Sequence, residues 1–392
     1  MDPRSPARPG PDPAPAARDI PGRRSADWNN PRVARNLFLW PALLVVLSLA
    51  VFPLVASLVI ATSRVSVSGG SMEFTFVGLQ NFNILFNGSQ RSHFLGQLMP
   101  PTPLGWVVFL GGLLLLSWAF VRSVRHGTRL RTLVIQGAGA LIAAAMLWLL
   151  VSTLLSEGGR PGTLVVTFIY AFAGTALTYL LGLGLAVLAS QRLRGERFFR
   201  VVFLLPLIIT PVGVAYMFKM FIDTSDGPLS PLLGALGMSE FSFLGDPWGA
   251  RIAVIITDTW QWIPFMFIVL LAALAGRELE TEEAGLVDGA SKWQIFRHIT
   301  MPALVPVSAT IILIRLIEAF KIIDLPNVLT YGGPGTASES LTLQAFFVWR
   351  GFDLGQSAAI AYTLLIAVTL VGIAYVTTVI KRTHAYGAEA AE

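Results

Sequence analysis

The sequence predicts an all-α integral membrane protein of about eight transmembrane helices, with both termini on the cytoplasmic side. Three observations predict it. Of 392 residues, 54% are apolar and only 13% charged, about half the charge that covers a soluble domain. Eight apolar runs are long enough to cross a hydrocarbon core of about 30 Å, which takes about 20 residues at 1.5 Å rise each. Lys and Arg between those runs are sorted by side. An ordinary soluble enzyme is excluded by the same composition. Collagen-like and disordered chains are excluded as well, because the 36 Gly and 24 Pro follow no period and the apolar content is too high. A membrane β-barrel would show alternating strands of about 10 residues instead. The chain has no cysteine, which removes disulfide frameworks, thiolate zinc sites and iron–sulfur clusters.

Taken in order, residues 1–36 are rich in Pro, Ala and Arg and lack an apolar core, so they read as a disordered basic cytoplasmic tail. The predicted spans are 37–62, 104–121, 132–155, 163–190, 201–222, 252–275, 303–323 and 356–380. The first reads as a retained anchor, since no short apolar region closely follows the first charges as it would in a cleaved leader. With the N-terminus inside, the inside segments hold 20 of the 28 Lys and Arg. The outside loops hold Arg64, Arg91, Arg160, Arg251 and Arg350, while Lys219, Arg315 and Lys321 fall within or at the edges of spans. Residues 63–162 are expected to form an outside segment that encloses a helix pair at about 104–121 and 132–155. Residues 163–382 carry the other spans with a cytoplasmic loop at 276–302, and 383–392 form a second cytoplasmic tail.

Chemistry that needs a fixed motif is missing. No GxxxxGK[ST] phosphate loop occurs, so no ATPase of the chain's own is expected. His93, His126, His298 and His384 are scattered without ligand spacing, and no Ser–His–Asp set is readable. Neither a catalytic nor a metal site is therefore expected. Gly182 and Gly184 fall inside a span, where close helix packing explains them better than cofactor binding.

The loop at 276–302 is the most informative segment. Thr281 is placed to cap a helix whose first turn holds Glu282 and Glu283 at the positive end of the dipole. Gly289 is placed to end that helix in the left-handed conformation. Ser291 and Gln294 have the spacing of a capping box for a second helix. Trp293, Phe296 and Ile299 recur every three residues along it, and Pro302 marks entry into the next span. Such an element either docks a soluble partner or lies on lipid as an interfacial helix.

At these residues the sequence resembles the integral-membrane permeases of binding-protein-dependent ABC importers, in particular the carbohydrate group related to maltose permeases. That signature runs Glu-Ala-Ala, three residues, Gly, nine residues, Ile, one residue, Leu-Pro. Here Glu283, Ala284 and Gly285 are followed by Gly289, Ile299, Met301 and Pro302, with Gly285 in place of the second Ala and Met301 in place of Leu. Asp288, Ala290 and Phe296 extend the likeness. Further agreement lies in FLLPLIITPVGVAYMFKMF, in DGPLSPLLGALG with FLGDPWGA, in FVGLQNF at Phe76–Phe82, and in the LTYGGP segment starting at Leu329. The last narrows the resemblance to carbohydrate systems. One departure is large: about 75 residues separate FVGLQNF from the next core span, so the pair at 104–155 is expected as a peripheral hairpin outside a six-helix core.

The resemblance implies a transport subunit, not an enzyme. It forms half of a pathway for a sugar or oligosaccharide and works by alternating access. Its partners would be a second related permease, two ATPase subunits that use ATP and Mg, an extracytoplasmic sugar-binding protein and the lipid bilayer, with no nucleic acid. The loop would be the coupling helix that engages an ATPase subunit. Polar groups inside spans are the candidates for a substrate path: Tyr216, Asp258, Trp260, Gln261 and Glu318. Arg315 and Glu318 are spaced to pair along one helix face. Lys219 is placed to snorkel, and Trp260 and Trp262 are placed for an interfacial belt. Two other readings stay open. A secondary transporter needs a mid-membrane relay, for which Asp258 and the Arg315–Glu318 pair are the material. A transferase acting on lipid-linked sugar needs a surface carboxylate or His cluster.

Overall fold

The computed structural model describes residues 31–68, 71–125, 130–190, 196–224, 226–237, 242–276 and 280–380. Residues 1–30 of the tail expected at 1–36, and the whole tail expected at 383–392, lie outside them. Met1–Ala56 and Ser57–Glu392 form two compact units. In the first unit the helix begins at Pro31, inside the segment expected to be tail; proline suits a first helical turn, where its missing N–H has no partner to lose.

Seven helices are long and apolar enough to cross a membrane, and a bent pair raises the count to eight. They are α1 (Leu39–Ala61), α4 (Pro103–Arg125), α5 (Leu130–Leu154), α6 (Thr163–Ala189), α10 (Pro247–Ala275), α12 (Lys292–Phe320) and α15 (Leu354–Val379). The bent pair is α7 (Glu196–Ile208) and α8 (Pro211–Phe221). Shorter helices are α2 (Gln80–Phe86), α3 (Arg91–Phe94), α9 (Ser230–Ala235), α11 (Glu280–Val287), α13 (Asp324–Thr330) and α14 (Leu341–Arg350). Two antiparallel ribbons join α1 to α6: β1 (Ser63–Ser68) with β2 (Ser71–Phe76), and β3 (Gly96–Gln97) with β4 (Arg160–Pro161). Asn81 fixes the root of the first ribbon by donating from Nδ2 to the carbonyls of Ala61 and Ser63, at 2.8 and 2.9 Å.

The predicted span at 201–222 is the one that differs. It bends by 104° between Val201–Ile208 and Pro211–Phe221. Pro211 lacks an N–H and pushes the residue before it out of the helical region. Thr210 is accordingly extended, at φ −63° and ψ 143°, and caps the new helix by accepting from the Gly213 N–H. The open carbonyl of Ile209 accepts from Gln261 Nε2 at 3.3 Å, which closes the break from a neighbouring helix.

Helices α6 and α10 form the centre. Gly174, Thr178, Gly182 and Ala186 recur every four residues along α6 and are all buried. Small residues in such a stripe let two backbones approach. A Cβ built on Gly182 would lie 2.5 Å from Met266 Cβ and 3.2 Å from the Phe267 nitrogen. Gly184 meets nothing within 4 Å, so of the two glycines only Gly182 is a packing residue. The two ends of α6 anchor separate apolar clusters, one around Phe168 and Phe320 with α12, the other around Met266 and Phe267 with α10. The extra helix pair is peripheral. Helix α5 packs Met146 and Leu149 against the first cluster, whereas α4 packs along α5 through Trp106, Phe109 and Trp148.

Gly182→Leu is expected to force α6 off α10 and lower the melting temperature of the purified protein in nanodiscs, since overpacking a tight contact costs about 1–3 kcal/mol or more. Leu180→Ala, at a position 62% exposed, is expected to melt close to wild type.

Candidate functional site

The loop after α10 builds a short helix locked against the start of the next span. Helix α11 ends in a Schellman motif: Gly289 sits at φ +79°, its N–H donates to the Leu286 carbonyl at 3.1 Å, and the Ala290 N–H donates to the Gly285 carbonyl at 2.9 Å. A Cβ at such a φ is strained, so glycine is the fitting residue. One residue later the Ser291 side chain accepts from the Gln294 N–H while the Gln294 side chain accepts from the Ser291 N–H, the complete capping box. Two of the expectations change. Thr281 is the second residue of α11 rather than its cap, because the helix already includes Glu280. The second helix is not a separate piece either. It runs on from Lys292 to Phe320 without interruption, and a π turn at Phe296–Thr300 precedes Pro302.

Gly285 lets α11 seat on that long helix. A Cβ there would lie 3.2 Å from Ile299 Cδ1 and 3.6 Å from Ile295 Cγ1. Thr300 donates to Glu282 Oε1 at 2.9 Å beside it. The outward side of the seam holds Glu283, Ala284, Asp288 and Gly289, all exposed, while Ala290 is half-buried. Val287 is 86% exposed and Trp293 66%. The Trp293 ring stacks on the half-buried Phe296, with centroids 5.6 Å apart. Pro302 is exposed.

Mid-span, the polar candidates do not converge on one point. Asp258 on α10 is buried and paired with Arg315 on α12, which is also buried. The guanidinium lies over the Trp262 ring, 4.8 Å from its centroid. Gly174 leaves room for the carboxylate, since a Cβ there would sit 2.9 Å from Asp258 Oδ2. Glu318 bonds Lys321 at 2.7 Å, so the expected Arg315–Glu318 pair is replaced by two other pairs. Trp260 meets Phe218 edge-on at 5.4 Å, Gln261 serves the break at Ile209, and Tyr216 is 59% exposed on α8. Lys219 donates to the Val328 carbonyl at 3.3 Å instead of only reaching for an interface.

Residues 179–383 match the sequence profile of the family described as binding-protein-dependent transport system inner membrane component. The chain belongs to that family. It is a multi-pass inner-membrane permease subunit, a transport component rather than an enzyme. The trehalose/maltose transport system permease protein of Thermococcus litoralis is 35% identical over 209 residues, covering 53% of this chain and 71% of that protein. The maltodextrin transport system permease protein of Bacillus subtilis is 28% identical, over 57% of this chain and 54% of that one. A solved bacterial ABC transporter involved in import of the acidic polysaccharide alginate superposes with a TM-score of 0.56 at 17% identity. The match covers 88% of this chain and 95% of that one, a likeness of fold.

One part of this permease escaped the sequence reading. The LTYGGP segment leads into a buried strap rather than an exposed loop. Ser338, Glu339 and Ser340 are all buried. Tyr170 donates to the Ser338 carbonyl at 2.9 Å, and the Leu341 N–H donates to Thr167 Oγ1 at 2.8 Å. A 2.9 Å hydrogen bond joins His93 Nε2 to Glu339 Oε2. The Ser-Glu-Ser run was the available signal, because polar residues between two apolar helices are free to turn inward when partners await them.

Removing one member of a buried ion pair strands the other and costs about 3–5 kcal/mol, whereas replacing both with apolar residues is often neutral. Asp258→Ala is therefore expected to lower the melting temperature in nanodiscs well below that of the Asp258→Leu/Arg315→Met double variant. Equal melting of the two would show that the pair does not hold α10 to α12.

Proposed function

We propose that this permease is one of two related membrane subunits of an ATP-driven carbohydrate importer, carrying a neutral di- or oligosaccharide. Its loop at 276–302 would face the cytoplasm and seat in a separate ATPase subunit, which supplies ATP and Mg chemistry. An extracytoplasmic binding protein would deliver the sugar to the opposite side. The observation that carries the coupling role is the double-capped seam at Gly289–Ser291, which holds Val287 and Trp293 exposed on a structured element. Large apolar groups held outward on such an element fit a protein cleft. Orientation is supported by the 20 Lys and Arg on the side that bears this loop. The carbohydrate reading is supported by the trehalose/maltose and maltodextrin relatives. In this scheme α4 and α5 stand outside the core spans α6, the bent α7–α8 pair, α10, α12 and α15. Asp258, Gln261, Trp260, Tyr216 and Glu318 remain the candidates for the path. A proton-coupled transporter is disfavoured because the buried carboxylate of Asp258 is already bonded to Arg315.

The chain is expected to co-purify with an ATPase subunit, and uptake in proteoliposomes is expected to require ATP inside and binding protein outside. Glu283→Lys and Gly289→Val are expected to lower uptake and substrate-stimulated ATP hydrolysis by tenfold or more, roughly 1.4 kcal/mol of coupling, at unchanged membrane abundance. Normal uptake by both would remove the loop from coupling, and loss of abundance for Gly289→Val alone would mark a turn glycine.

A further inference from the structure

A cavity of roughly 780 Å³ opens among the start of α10, β4 with the residues before it, and the turn after Pro334. Its size is that of a ligand site. Two arginines line it, Arg160 and Arg251, and among the described residues no Asp or Glu does. Arg251 is only 3% exposed, yet it has no carboxylate partner among the described residues. Its Nε donates to the Ala337 carbonyl at 2.7 Å, and its guanidinium lies 4.8 Å from the centroid of the Trp248 ring. Its terminal nitrogens make no hydrogen bond among the described residues. Asp246 nearby is committed to the helix cap, accepting from the N–H groups of Trp248 and Gly249 at 2.8 and 2.7 Å. Arg160 pairs through its backbone with Gln97, and its side chain is without a partner among the described residues. A buried arginine such as Arg251 is seldom left unpaired, and with the exposed Arg160 beside it the recess has a positive potential that selects an anion.

Building on the importer reading, we propose that this cavity receives an acidic side chain of the extracytoplasmic binding protein during docking. The cavity is at the end of α10 away from the 276–302 loop, which that reading makes the outer face. The trehalose, maltose and maltodextrin named for the sequence relatives are uncharged and would leave both arginines uncompensated, while the acidic alginate is named for a neighbour that is alike in fold alone. Among the described residues the one aromatic ring in the lining, Trp248, has a face taken by Arg251, which suits stacking on a sugar ring poorly. The volume admits a loop tip carrying a carboxylate, which would meet Arg251 with two parallel hydrogen bonds.

The test measures binding of the system's own sugar-loaded, fluorescently labelled binding protein to the full transporter in nanodiscs, at rising NaCl. Arg160→Gln and Arg251→Gln are each expected to weaken binding about tenfold and to flatten its salt dependence, as loss of a charge pair at an interface does. A hexaglutamate peptide is expected to compete and a hexaserine peptide not to. Arg251→Gln also loses the bond to Ala337, so assembly is checked by co-purification of the subunits, and Arg160→Gln decides the matter if that variant does not assemble. Unchanged affinity and salt dependence in Arg160→Gln and in the double variant would overturn the proposal. So would competition by sodium glucuronate at a site whose variants leave binding-protein affinity untouched, which would make the cavity a free-saccharide site. A wild-type complex without any binding-protein-dependent uptake would instead sink the importer reading.

Discussion

The absence of water at mid-bilayer is the constraint on which the rest of this structure depends. A polar group between the membrane faces is costly unless it is partnered inside the protein, and the partners chosen help decide which helices stay together. The Thr178 and Thr257 hydroxyls return to carbonyls one turn back on their own helices, at 2.6 and 2.7 Å, and so ask nothing of their neighbours. Asp258 and Arg315 have no such local solution and bind α10 to α12. Gln261 satisfies a carbonyl that Pro211 leaves open on the bent span. The break in one helix is thus repaired from another, and a sharp bend becomes affordable without exposing backbone to lipid.

The two ends of the bundle solve different problems. At one, the seam between α11 and α12 is stiff because the Gly289 and Ala290 N–H groups and the Ser291–Gln294 box are bonded in place, yet Val287 and Trp293 stay exposed. At the other, the strap at Ser338–Ser340 is buried and tied to α6 by Tyr170 and Thr167, so the loops at that end stand on a fixed floor. Recognition of protein partners at both ends would then need little rearrangement of this chain before contact.

Much of the fold was legible because length and apolarity alone define a span. Helix ends were less legible where a cap outweighs hydropathy. The α10 span begins at Pro247 rather than near 252, because Asp246 followed by proline starts a helix among polar residues. The bend at Thr210 was written in Pro206 and Pro211, but hydropathy averages over breakers. The partner of Arg315 could not be read locally: helical spacing offered Glu318 three residues away, while the actual carboxylate is 57 positions distant. In the loop, the Ser291–Gln294 box and the Gly289 stop were legible because capping is a contest among neighbours. Thr281 misled because Glu280, just before it, is already helical.

The continuity of Lys292–Phe320 has a mechanical consequence. A rod of 29 residues is roughly 43 Å long at 1.5 Å per residue. Tilting it by about 10° at the end that carries α11 would sweep the Phe320 end through about 7 Å if the helix stays straight over that length. Phe320 packs against Phe168 with centroids 5.1 Å apart, so such a sweep cannot leave the α6 cluster undisturbed. The π turn at Phe296–Thr300 is the place along the rod where pitch changes, and it sets how much of a rotation applied beside Gly289 arrives at the opposite membrane face as displacement and how much is absorbed as twist.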